Sequence, residues 1–162
     1  MTKPRVIFDC NVFLQAFLST TGVASKCLKY LNDNLIELYM SRDIFSEIKD
    51  VLSRPDFQTK FPHATPENLA IFLEHIKEKA IFVRSVDQHF ELPRDKKDEP
   101  YLNLAIEIKA AFIVSWDKDL LDLMTEFSVE AKEFRQKSRP LKIVPPIEFL
   151  QILAEEDLPL KP

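Results

Sequence analysis

The chain has 162 residues, a formal net charge of −4 at neutral pH and a single glycine. Ordinary usage of about 7% would give roughly eleven glycines; turns here fall to eleven prolines and to polar residues instead. The missing glycines exclude Gly-rich phosphate cradles, so P-loop and dinucleotide-fingerprint sites are ruled out, and the mild acidity argues against a broad basic face for duplex DNA.

In chain order, residues 5–9 predict a short buried strand: Val6, Ile7 and Phe8 in a row, closed by a carboxylate. A helical turn starts at Asn11 and runs to Leu18. Residues 23–34 read as a helix with Val23, Cys27, Leu28 and Leu31 on one face. Residues 35–40 predict a second strand, and Ser41 is a good N-cap for a helix running to about Leu52. Arg54-Pro55 breaks it. Thr65-Pro66-Glu67 carries the cap, first-turn proline and early acid of a further helix, running to about Lys79. Residues 80–84 predict a third strand, and the polar stretch 85–97 a loop. Asp98-Glu99-Pro100 opens a helix bearing Tyr101, Leu102, Leu104, Ala105 and Ile108. Residues 111–115 predict a fourth strand, and Asp117 caps a short helix over 118–124. The segment 126–139 is charged and shows no clear periodicity. Residues 141–144 predict a fifth strand, and 146–153 a closing helix.

Alternating strands and helices mean an α/β domain whose mostly parallel sheet is covered on both faces. No internal repeat or linker divides the chain. The expected organisation is one domain over 1–154 and a solvated C-terminal tail over 155–162. Cys10 and Cys27 belong to no CxxC pair, which predicts two buried thiols in a reducing compartment. No signal peptide and no apolar run of eighteen residues is visible, so the expected location is cytoplasmic.

In open parallel sheets, ligands bind beyond the carboxyl ends of the strands. Asp9 follows the first predicted strand, with Asn11 two residues on. Asp117 and Asp119 lie just past the fourth, and Asp98 opens the helix leading into it. On a helical wheel at ~100° per residue, Ile44, Phe45, Ile48, Val51 and Leu52 form one arc, and Glu47 is the carboxylate nearest its edge. Carboxylates drawn together repel, and a divalent cation resolves the repulsion. An all-oxygen set suits Mg²⁺ or Mn²⁺ rather than zinc or copper. Such ions can polarise a phosphodiester and activate water with no Gly-rich loop and no histidine.

Each residue also has a plainer reading. Asp98 and Asp117 can be helix caps, Asp9 an Asx-turn, Glu47 a solvated helix residue, Asn11 a turn cap, and Asp119 a first-turn acid. His63, His75 and His89 show no metal-ligand spacing. The set points to metal chemistry; no single member does.

Four segments make the chain resemble a PIN domain. Val6-Ile7-Phe8-Asp9-Cys10-Asn11-Val12-Phe13-Leu14 resembles the opening strand with Asp-x-Asn. Ser41-Arg42-Asp43-Ile44-Phe45-Ser46-Glu47-Ile48 resembles the helix with its internal Glu. Asp98-Glu99-Pro100-Tyr101-Leu102-Asn103-Leu104-Ala105 and Ile113-Val114-Ser115-Trp116-Asp117-Lys118-Asp119-Leu120-Leu121 resemble the third and fourth acidic segments. Val51-Leu52-Ser53-Arg54-Pro55 fits the toxin-like, VapC-type branch. The resemblance covers residues 6–153.

The resemblance implies a three-layer α/β/α fold with a five-stranded sheet of order 3-2-1-4-5. It implies a metal-dependent ribonuclease acting on single-stranded RNA, with Asp9, Glu47, Asp98 and Asp117 binding Mg²⁺ or Mn²⁺. Asp119 would be a further metal ligand, Asn11 an accessory residue, and Ser115 the residue that orients its acidic neighbour. It also implies homodimers and, for a toxin, an antitoxin protein partner. A non-catalytic PIN module binding RNA or a protein partner is the alternative. Phosphoryl transfer of the haloacid-dehalogenase type is a third reading, but it expects Asp where Asn11 stands.

Two stretches depart from the family pattern. Lys109-Ala110-Ala111 and Ser115-Trp116-Asp117 stand where relatives often carry glycines, which predicts a stiffer, more crowded rim. Trp116 reads either as a packed aromatic or as a substrate-binding platform for a base. The segment 126–139, with Lys132, Arg135, Lys137 and Arg139 around Phe134, reads either as an RNA-guiding or partner-binding flap or as a solvated helix and loop.

Overall fold

Val6, Ile7 and Phe8 are buried, as an apolar run flanked by parallel neighbours must be. They form β1 (Arg5–Phe8), the middle strand of the sheet in a computed structural model that describes residues 2–156. β2 (Glu37–Ser41), β3 (Ile81–Val83), β4 (Phe112–Val114) and β5 (Lys142–Val144) complete a five-stranded sheet of order β3-β2-β1-β4-β5. Every pairing is parallel: Val6 lies opposite Leu38 and Phe112, Tyr39 opposite Ile81, and Val114 opposite both Phe8 and Val144. All five carboxyl ends therefore share one edge, as the order 3-2-1-4-5 requires.

Helices α1 (Cys10–Leu18), α2 (Val23–Asn32) and α9 (Pro146–Glu155) pack together, with α3 (Arg42–Leu52) against α1. Phe149 of α9 meets the rings of Phe8, Phe112 and Tyr30 edge-on at 5.3–6.3 Å. The helix α6 (Glu99–Ile108) lies against β1, β2 and β4, with α8 (Val129–Ser138) packed on it. Sheet and flanking helices make the expected α/β/α arrangement. Among the described residues, no helix is long and apolar enough to cross a membrane. Both thiols are buried and free.

Several expected boundaries shift for local reasons. The first strand stops at Phe8, because the Asp9 carboxylate accepts the Cys10 N–H at 2.7 Å and starts α1 one residue early. Pro55 ends one helix and also opens α4 (Pro55–Lys60), where its missing N–H costs nothing. Helix α5 (Pro66–Lys79) is capped by Thr65 as expected. Helix α7 (Lys118–Asp122) is two residues shorter than expected, and α9 runs to Glu155, past the expected end at 153. The expected tail over 155–162 falls mostly outside the described residues.

The charged segment 126–139 forms α8. Phe134 is wholly buried, edge-on to Phe90 at 5.2 Å. Arg135 donates to the Leu123 carbonyl at 2.6 Å, and Lys137 to the His89 carbonyl at 3.0 Å. Two of its four cations thus brace backbone. Buried Asn103 secures the loop before α6 from the other side. Its Oδ1 accepts the His89 and Phe90 N–H groups at 2.6 and 2.8 Å, and its Nδ2 donates to the Phe90 and Glu99 carbonyls. A stretch without periodicity is thus held by side chains, the Asn103 amide foremost.

Glycine's usual left-handed positions are filled by other residues. Lys109, at the end of α6, has φ 54° and ψ 55°, and Asn34 has φ 58°. Gly22 itself has an ordinary φ of −78° at the start of α2.

Candidate metal centre

The parallel register sets the chains leaving β1 and β4 side by side. Asp9 N–H bonds the Val114 carbonyl, and Ser115 N–H bonds the Val144 carbonyl, both at 3.0 Å. This places Ser115, wholly buried, beside the Asp9 carboxylate. The Ser115 hydroxyl donates to Asp9 Oδ2 at 2.6 Å and accepts the Asp117 N–H at 2.9 Å. One hydroxyl thus fixes the acid after β1 and the loop carrying the acid after β4.

Asp9 is 7% exposed. Burial raises its pKa; bonds from Ser115 and Cys10 oppose this, and the Asp117 charge adds to it. Asp98 occupies the N-cap position of α6 but makes no side-chain cap bond. Its Oδ2 is buried without a hydrogen-bond partner. Burial first, then the charges of Asp117, Asp95 and Asp9, push Asp98 up to about 8. An orphaned, desolvated carboxylate oxygen among like charges is unfavourable unless a cation joins it.

Carboxylate oxygens of Asp95, Asp98 and Asp117 lie within 4.8 Å of one another. Asp95 escaped the sequence reading because it sits in the stretch read as plain loop. The signal was the spacing Asp95-Lys96-Lys97-Asp98. Residues 96–98 form one 3-10 turn, in which side chains three apart eclipse.

Glu47 enters from α3, whose Ile44, Ile48 and Leu52 are buried as the wheel predicts. The residue is exposed overall, yet its Oε2 accepts a hydrogen bond from the Tyr101 hydroxyl at 3.0 Å. Burial raises the Glu47 pKa, Tyr101 and Lys97 lower it, and Asp9 raises it. Tyr101 also stabilises ionised Asp9, and its own hydroxyl is pushed well up by burial and by both acids. Sequence reading had placed Tyr101 only among apolar helix residues; its bond spans 54 positions, beyond any local pattern.

Asp119 is exposed in the first turn of α7, where its N–H donates to Asp117 Oδ1 at 2.9 Å. Asp117 is therefore a helix cap as well as a member of the acidic group. The structure brings none of Asp9, Glu47 and Asp119 into the Asp95–Asp98–Asp117 cluster. Asn11 is exposed on α1 and lines a neighbouring cavity with Trp116. Trp116 is 43% exposed, so its ring is only partly packed.

The donors at this edge are carboxylate oxygens, the ligand chemistry that hard divalent cations take. A second grouping, Asp87, His89 and Glu107, lies on the braced loop and α6. There Glu107 already accepts the Asp87 N–H and faces His89 Nε2, each at 3.1 Å.

Comparison with known proteins accords with this geometry. The sequence profile of the PIN domain matches residues 5–119. The uncharacterized protein MJ1680 of Methanocaldococcus jannaschii is 28% identical over 149 residues, spanning 92% of this chain and 91% of its own length. No solved structure matches the chain.

Proposed function

This chain belongs to the PIN domain family, a nuclease-type fold, and from that premise we propose that it is a Mg²⁺- or Mn²⁺-dependent endoribonuclease that hydrolyses single-stranded RNA. Asp9, Glu47, Asp98 and Asp117 hold the ion, and Asp95 joins them. The domain over 1–154 acts in the cytoplasm. The observation that carries the reading is the Asp98 carboxylate, which has a buried, unpartnered Oδ2 and groups with the carboxylates of Asp95 and Asp117 within 4.8 Å.

A divalent cation bound there supplies Lewis-acid polarisation of the phosphodiester and a water of lowered pKa. The chain's own residues prepare the site. Ser115 holds Asp9 in one orientation. Tyr101 fixes the Glu47 carboxylate through its hydroxyl. Asp119 N–H and Ser115 Oγ set the Asp117 loop. Asp119, exposed in the first turn of α7, acts only through water. Rigid placement of this kind lets charge stabilisation act without reorganisation.

RNA cleavage in Mn²⁺, with Asp9→Asn as the control, tests the proposal. Wild-type protein that cleaves no RNA and binds no metal by titration calorimetry overturns it. Metal-independent RNA binding that survives Asp9→Asn is what the non-catalytic alternative requires. A toxin role, with an antitoxin partner and a homodimer, adds a separate claim. A neighbouring reading frame encoding a small DNA-binding protein with a tail that wraps this chain supports it.

A further inference from the structure

Beside the acidic edge lies an open cavity of about 480 Å³, lined chiefly by Asn11, Gln15, Ser19, Gly22 and Trp116. That volume falls within the range of small-molecule sites. Its position follows from the fold. Trp116 immediately precedes Asp117, and Asn11 lies two residues after Asp9. Consecutive Cα atoms are about 3.8 Å apart, so both walls of the cavity are continuous with the acids that flank the β1–β4 seam.

The chemistry of the lining is selective. Asn11 and Gln15 are four residues apart on one face of α1, and Ser19 follows as its C-cap, so the three form one polar stripe along the cavity wall. Neither the Asn11 nor the Gln15 amide has a hydrogen-bond partner among the described residues. Facing this stripe is a half-exposed indole. Among the described residues, no ionisable side chain lines the cavity, so these walls do not attract a phosphate. An aromatic face opposite unpaired amide donors and acceptors suits a flat, uncharged, hydrogen-bonding ring.

We propose that this cavity is a nucleobase subsite, in which an unpaired base of single-stranded RNA stacks on Trp116 and presents its edge to Asn11 and Gln15. The inference rests on the ribonuclease reading for its ligand. The base occupies the cavity while its backbone runs to the acidic edge. A base paired in a duplex cannot enter, because its edge and both faces are already engaged. Gln15 reads the base edge, so the subsite gives cleavage a base preference.

Trp116 is the chain's one tryptophan, so intrinsic emission reports on this cavity directly. Short oligoribonucleotides of each base, and a strand of the same backbone lacking bases, are titrated in Ca²⁺. Trp116 emission and the anisotropy of labelled RNA are followed together. The expected result is quenching by single strands that carry bases, no quenching by the abasic strand, and affinity weakened roughly 5- to 140-fold by Trp116→Ala. Gln15→Ala narrows the spread among the four bases.

RNA that binds without quenching, with equal affinity for Trp116→Ala, overturns the subsite, and Mn²⁺ cleavage then judges the ribonuclease reading alone. Quenching with weakened binding by Trp116→Ala supports the subsite even where Mn²⁺ yields no cleavage. Absence of RNA binding in both Ca²⁺ and Mn²⁺ overturns the subsite and the ribonuclease reading together. Trp116 is exposed, so its replacement leaves the core intact.

Discussion

Ser115 and Asp9 are 106 residues apart in the chain, and a 2.6 Å hydrogen bond joins them across the seam between β1 and β4. The same hydroxyl accepts the Asp117 N–H. Removing it leaves the Asp9 carboxylate and the Asp117 N–H without this partner. Ser115→Ala is expected to cost about 1–3 kcal/mol of stability, read by guanidinium denaturation. Support of a ligand from behind is typically worth 10- to 100-fold in metal affinity. Mn²⁺ titration of the variant should show a loss of that order. Unchanged Mn²⁺ affinity would mean that Asp9 is oriented by something else.

Asp98 makes the metal-free protein sensitive to pH in a definite direction. Its pKa rises from 3.8 to about 8 on folding, chiefly by burial and then through Asp117, Asp95 and Asp9. The folded chain therefore holds this proton more tightly than the unfolded chain. The stabilisation is fully present below pH 3.8 and is lost as pH climbs through about 8. Denaturation in EDTA should show stability falling between about pH 4 and 8. Asp98→Asn should flatten that slope and gain about 1–2 kcal/mol at pH 8. A variant less stable than wild type in EDTA at pH 8 contradicts this account.

Lys109 holds a left-handed conformation, φ 54° and ψ 55°, that costs an L-residue roughly 1–2 kcal/mol. Lys109→Gly removes that strain and raises unfolded-chain entropy. A net gain of about 0.5–1 kcal/mol is expected, which a thermal melt reads as roughly 1–4 °C. Asn34→Gly should gain less, because Asn tolerates this region.

Both thiols should be inert in the folded protein. Burial pushes Cys10 and Cys27 up to about 12, and the charges of Glu47 and Asp9 add to the effect at Cys10. The thiolate is the reactive form. Ellman's reagent at pH 8 should titrate neither cysteine until guanidinium is added. Rapid labelling of Cys10 in the native protein would show that the end of β1 opens.

The sheet order and the places of Asp9, Glu47, Asp98 and Asp117 were legible because local patterns mark them. Apolar strands run directly into carboxylates, and the apolar arc of α3 leaves Glu47 at its edge. What escaped depends on contacts that no local pattern records. Tyr101 looks apolar until a helix 54 residues away presents Glu47 to it. The loop before α6 has no periodicity because Asn103, rather than a regular ladder, satisfies its backbone. Helix α8 buries Ala131, Phe134 and Ser138, a stripe with one large apolar side chain, too faint to stand out among its charges. Asp95 needed the eclipsed geometry of a 3-10 turn to reach Asp98.

Of the five strands of the sheet, the first to be synthesised is the one that ends up in the middle. One flank of β1 is taken by β2, which is complete at Ser41; the other waits for Phe112–Val114. Until then Asp9 has neither Ser115 nor Asp117 beside it. Synthesis proceeds at about 5–20 residues per second, so for several seconds the growing chain carries an unfinished acidic edge. Strand order alone thus delays assembly of the chemistry until β4 has been made, and a translation product truncated before β4 is born without it.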